Sequence, residues 1–154
     1  MRSRVVASLF AIAQQHQYSI FLLLQNSPTL QASAFTLLRP LCEAVIKGLW
    51  IKLVATENQI NKYLNGKVVK NIDEMIKLIA IEYGSSNNQL NQNNWNALSL
   101  YVHSNHLQLQ FWLTSESVEP RYPDEAIAEL IKITRLFSNL AFQSIQTISE
   151  EHKL

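Results

Sequence analysis

Charge is scarce in this chain: Asp, Glu, Lys and Arg supply 16% of its 154 residues, where about a quarter is usual for a soluble domain. Asparagine and glutamine fill the gap, so the surface is polar without being strongly charged. A formal net charge of +1 leaves no electrostatic footprint for bulk binding to nucleic acid. Glycine is rarer still. Three glycines exclude phosphate cradles of the GxGxxG or GxxxxGK[ST] kind, which need several within a few positions. A single cysteine, Cys42, excludes intrachain disulfides and cysteine-based zinc sites. Long hydrophobic runs are missing as well. Gln14, Gln15, His16 and Gln17 interrupt the one stretch that approaches the ~20 apolar residues of a membrane span. What remains, at 47% hydrophobic residues, is enough for the core of one domain over residues 1–154.

The N-terminus imitates a signal peptide, with Arg2 and Arg4 ahead of an apolar run and Ala11-Ile12-Ala13 as an apparent cleavage site. Its periodicity argues otherwise. Val5, Leu9, Ile12, His16, Ile20, Leu23 and Leu24 recur at helical steps straight through that site, which predicts an amphipathic helix and a cytoplasmic protein. The turn signal Asn26-Ser27-Pro28 predicts its end near Gln25. A second helix is expected from about Thr29 to about Glu57, with a kink or a break at Pro40, where one backbone donor is lost. Asn71 and Glu74 have capping-box spacing at the start of a third.

Gly84 to Asn88 reads as a loop, and a polar-started helix carrying Trp95, Leu98, Tyr101 and Val102 follows. Residues 114–122 read as another loop. Pro123-Asp124-Glu125 opens a last helix, its acidic groups in the first turn where the dipole favours them. Ile127, Leu130, Thr134, Phe137, Ala141, Ile145 and Ile148 form its expected buried stripe. The fold class is therefore all-α, a single-domain antiparallel bundle of about five main helices.

Few residues offer chemistry. Arg39 and Glu43 stand four apart and can pair on one helix face. That pair is either a surface ion pair beside a packing kink or a guanidinium aimed into a cleft. Trp50, two turns beyond Glu43, lines the same cleft or belongs to the core. His103 and His106 share a face but have no carboxylate or thiolate nearby to complete a metal site, so neither a metal nor a cofactor is expected. His103 either caps a helix end or acts as a general acid or base with Arg39 or Glu43 as partner. Cys42 sits among apolar neighbours and reads as a small buried hydrophobe. Arg121 precedes the last helix, where it either meets an anion or remains solvated. Lys62, Lys67, Lys70 and Lys77 give the middle of the chain some positive charge, but Glu57, Asp73, Glu74 and Glu82 dilute it, so no clean nucleic-acid stripe emerges.

The run Ala34 to Ala44 (AFTLLRPLCEA), followed by Trp50 and by Leu98-Ser-Leu-Tyr-Val-His103, resembles a group of bacterial helical proteins. In that group an L-[LV]-R-[PT]-x-x-E helix precedes an L-S-x-x-V-H helix. They are similar to the HEPN-like bundles of prokaryotic defence and toxin–antitoxin systems, and the resemblance covers residues 30–105. It implies a helical bundle, often a homodimer, in which Arg39, Glu43 and His103 converge. Active HEPN ribonucleases cleave RNA without metal, using an arginine four to six residues before a histidine. This chain departs from that pattern. No arginine stands at that distance before His16, His103 or His106, and Asn96 is the nearest polar substitute ahead of His103. The resemblance thus implies a non-catalytic module that dimerises and binds a partner protein or RNA, with Trp50, Asn96, Tyr101 and Arg121 as binding candidates. The alternative is a metal-independent ribonuclease with a composite Arg39/Glu43/His103 site.

Overall fold

The structure is a computed structural model that describes residues 1–82, 111–113 and 120–151. Among the described residues the regular elements are five α-helices: α1 (Arg2–Gln25), α2 (Gln31–Leu53), α3 (Glu57–Leu64), α4 (Ile72–Glu82) and α5 (Asp124–Glu151). No helix among the described residues is long and apolar enough to cross a membrane.

Helix α2 is the centre. It packs against α1, α4 and α5, and α1 also touches α5. Its sequence explains the position, because Leu38, Leu41, Cys42, Val45, Ile46, Leu49, Trp50 and Ile51 are all fully buried. Such a helix is apolar nearly all round, as a helix covered on several sides must be. Burial of each large aliphatic or aromatic side chain is worth about 1.5–3 kcal/mol, so α2 contributes more of the described core than any other helix.

Contacts at the helix ends fix the directions. Arg2, at the start of α1, donates to the Ile51 carbonyl near the end of α2 at 2.7 Å and pairs with Glu57 at 3.2 Å. Those two helices are therefore antiparallel. Helix α5 runs the same way as α2: Tyr122 just ahead of α5 stacks on Phe35 near the start of α2, and Lys52 at the other end donates to the Ser144 carbonyl at 3.0 Å. The antiparallel arrangement expected of the bundle thus holds for α1 against its neighbours and not for α2 against α5.

Local sequence signals set the boundaries. Helix α1 ends at Gln25, and Asn26 Nδ2 donates to the Pro28 carbonyl at 2.9 Å in the turn that follows. At the head of α4 the Glu74 amide donates to Asn71 Oδ1 at 2.8 Å, while the Asn71 amide donates to the Glu74 carboxylate at 3.1 Å. This reciprocal pair satisfies two otherwise orphaned donors.

Three expectations need correction. Of the kink or break expected at Pro40 the break is absent, because helix α2 continues through it. A proline deletes one helical hydrogen bond, and a helix packed on three sides tolerates that loss. The chain breaks later, at Val54 to Thr56, because Thr56 and Gln59 form a capping box that starts α3 afresh. The apolar stripes hold only in part. Leu130, Thr134, Phe137 and Ala141 of α5 and Leu9 and Ile20 of α1 are buried as expected, but Ile12 is 46% and Ile145 43% exposed, and Val6, Phe10 and Ala13 are buried on α1 beside the expected stripe.

Candidate functional site

The Arg39–Glu43 pair exists, and it is part of a longer ladder. Arg39 Nε donates to Glu43 Oε1 at 2.8 Å, and Lys47 Nζ donates to Glu43 Oε2 at 2.9 Å. One carboxylate therefore bridges two cations along a single face of α2, at successive four-residue steps. The three side chains are only 25–31% exposed, so solvent screens them less than an open surface pair. Burial alone would raise the Glu43 carboxyl, but the hydrogen bonds and charges of Arg39 and Lys47 outweigh it and hold the group below its ordinary 4.5.

Arg39 and Lys47 of this ladder line one wall of a cleft of about 520 Å³. The opposite wall is the segment linking α3 to α4, with Lys67, Val69 and Lys70, and the first turn of α4 follows with Ile72, Asp73 and Met75. Tyr63 of α3 adds an aromatic ring. Gly66, at φ 71°, turns the chain out of α3 and so lets Lys67 and Lys70 face α2. Lys67 and Lys70 have no ion-pair partner among the described residues. Among the described residues the lining sets one carboxylate, Asp73, against four cations, two of which Glu43 already pairs, and Asp73 Oδ1 is buried without a hydrogen-bond partner. Its place in the first turn of α4 offsets part of that desolvation through the helix dipole.

Chemically the cleft is a cationic, partly apolar recess suited to an anion carried on an aromatic or aliphatic body. Its volume lies within the roughly 300–1,000 Å³ of ordinary ligand sites. Among the described residues no three His, Cys, Asp or Glu side chains come together as metal ligands.

Residues 10–154 match a family of unknown function, DUF6988. The chain belongs to that family. No curated protein and no solved structure matches it.

In this DUF6988 chain the other sequence candidates separate. Trp50 is fully buried and its indole N–H has no partner among the described residues, so it is a core residue and does not line the cleft. The α2 face that is open at Arg39 and Lys47 is closed one turn later. Cys42 is buried, and burial together with the neighbouring Glu43 charge pushes its thiol well up. His16 is half-buried on α1. Arg121 is exposed, its amide donates to the Phe111 carbonyl at 2.7 Å, and it does not line the cleft. Asn96, Tyr101 and His103 lie outside the described residues.

Sequence reasoning misses two things here. Lys67 and Lys70 read as diluted charge, because their alignment with Arg39 is a tertiary contact with no sequence period. Tyr122 reads as part of a loop, yet it is buried, stacked on Phe35 at 5.1 Å between ring centroids and tilted against Phe111 at 5.0 Å. An aromatic immediately before a helix-opening proline is the signal that could have found it.

Proposed function

We propose that this protein is a non-catalytic, HEPN-like helical module that works as a homodimer and binds single-stranded RNA in the Arg39–Lys70 cleft. The HEPN-like reading and its prokaryotic defence or toxin–antitoxin setting rest on the L-R-P-x-x-E and L-S-x-x-V-H runs. The absence of an arginine four to six residues before any of His16, His103 and His106 is the ground for reading it as non-catalytic.

One observation carries the ligand class: Arg39, Lys47, Lys67 and Lys70 line the same recess as Tyr63. Single-stranded nucleic acid is held by this combination, with cations tracking phosphates and an aromatic face taking a base at about 1–3 kcal/mol per stacked base. The low net charge of the chain favours a short local contact over a long electrostatic track.

Fluorescence anisotropy with a labelled 12-nucleotide RNA, at 50 and 200 mM salt, tests the proposal. The parent binds saturably, and Lys67→Glu with Lys70→Glu weakens binding at least tenfold. Each phosphate that a lysine no longer neutralises lowers the salt slope by about 0.7. No saturable binding at tens of micromolar would overturn the RNA reading in favour of a protein partner. Incubating the same RNA with the parent and with His103→Ala tests the alternative. Cleavage by the parent that disappears in the variant would establish the composite Arg39/Glu43/His103 ribonuclease instead.

A further inference from the structure

No Asp, Glu, Lys or Arg occurs between Arg4 and Arg39. That interval contains nearly all of α1, a helix with one side open. Arg4, Ala7, Ala11, Gln14, Gln15, Tyr18, Leu22 and Gln25 are exposed, and their three- and four-residue steps place them on one stripe of the helix. Tyr18 is 66% and Leu22 48% exposed. A surface helix normally carries charge on its solvent face; beyond Arg4 this one carries none.

The order of residues along the stripe is informative. Ala7 and Ala11 are small, Tyr18 and Leu22 are large, and the set is symmetric about the Gln14–Gln15 peptide bond. A second α1 laid antiparallel across that point puts Tyr18 of each copy over Ala11 of the other, and Leu22 over Ala7. Large side chains then enter the space left by small ones, as ridges enter grooves. A hollow between Ala11, Gln14, Gln15 and Tyr18 marks the centre of the stripe. Gln14 of each copy meets Gln15 of the other there, where each amide both donates and accepts. Arg4 of each copy reaches the C-terminal turn of the other α1, which has no basic residue of its own and whose dipole favours a cation.

We infer that this face of α1 is a two-fold interface with a second copy of the same chain. Charge is the argument for self-association over another partner. At an isologous contact each residue near the axis meets its own copy, so a charged residue there would face its like. An uncharged centre is what that geometry favours, and the charge-free stripe around it offers a charged partner nothing to complement. Area supports the same choice. From Arg4 to Gln25 the helix rises about 33 Å and presents a strip about 12 Å wide, roughly 400 Å² per copy, half of the ~800 Å² typical of a stable interface. The surface continues across a groove from Gln14 and Gln17 to Phe142 and Ile145 of α5, where Phe142 is 61% exposed. Residues 136–149 of α5 are likewise free of Asp, Glu, Lys and Arg, and this second strip supplies the remaining area.

The inference deepens the homodimeric part of the proposed function by assigning its surface and register. Sedimentation of the full chain at 50 µM should give twice the 17.6 kDa chain mass, at both 50 and 500 mM salt. Ala11→Glu and Tyr18→Lys should each shift the population to the single-chain mass while helical circular dichroism is unchanged. The double variant Ala11→Glu/Tyr18→Lys should recover the dimer, because each new glutamate meets a new lysine across the axis. A parent that sediments as one chain, or single variants that remain dimeric, would overturn the interface. A double variant that stays monomeric would overturn the antiparallel register. RNA binding by a monomer sinks the dimer and leaves the cleft reading intact, so the two failures are distinguishable.

Discussion

Phe10 of α1 lies directly over Gly48 of α2, so close that a Cβ at position 48 would overlap the Phe10 ring. This contact sets the separation of the two helices with the longest shared interface, and both residues are buried.

Gly48→Val should therefore destabilise the fold by about 1–3 kcal/mol through overpacking. Gly48→Ala should cost less, because about 1 kcal/mol of helix propensity is regained. Combining Gly48→Ala with Phe10→Leu should recover part of the loss, which a double-mutant cycle in urea reads as a coupling energy. Strictly additive effects would show that the two residues do not limit the helix approach.

Tyr122 makes a second prediction. Its ring is sandwiched between Phe35 and Phe111, and its hydroxyl accepts from Trp112 Nε1 at 3.3 Å. Tyr122→Ala should cost about 3–5 kcal/mol, whereas Tyr122→Phe, which removes only the long hydrogen bond, should cost about 1 kcal/mol or less. Thermal unfolding of the two variants side by side checks the ordering.

Cys42 is buried, and its thiol is held far above the range in which thiolate forms at neutral pH. Since the thiolate is the reactive species, native protein at pH 8 should resist alkylation by iodoacetamide and react fully once unfolded in guanidinium. Rapid native labelling, followed by mass spectrometry, would contradict the burial.

The depressed Glu43 carboxyl sets a pH dependence. Its folded value lies below 4.5, so folding favours the ionised form. The resulting stabilisation is complete above the unfolded value near 4.5 and is lost as pH falls through the lower folded value. Glu43→Gln should flatten the acid limb of a stability–pH curve below that point and leave its neutral-to-alkaline shape unchanged. Urea midpoints measured from pH 3 to pH 7 supply the comparison.

Helix ends are more legible in this sequence than helix faces. The Asn71–Glu74 box and the Pro123-Asp124-Glu125 start are local chemistry, and local chemistry survives folding. The Thr56–Gln59 box is local in the same way and marks the end of α2, but Pro40 is the louder signal and points to the wrong place. Phase is harder. Most of the α5 stripe, from Leu130 to Ala141, is buried as its spacing predicts, but Ile12 and Ile145 are exposed while Val6, Phe10 and Ser144 are buried, because the neighbouring helices decide where each face ends. The Arg39–Glu43 pair follows from spacing alone. Its extension to Lys67 and Lys70 depends on a glycine turn that brings a separate segment alongside α2.

The central position of α2 also imposes an order on assembly. During synthesis α2 follows directly on α1, and their antiparallel contact closes over a short turn. Helix α5 follows much later, and its tie from Lys52 to Ser144 spans 92 residues. Contacts of that separation carry a large loop-closure cost and form late. The nascent chain therefore leaves the flank of α2 that α5 covers exposed until α5 is made, which makes that interval prone to aggregation.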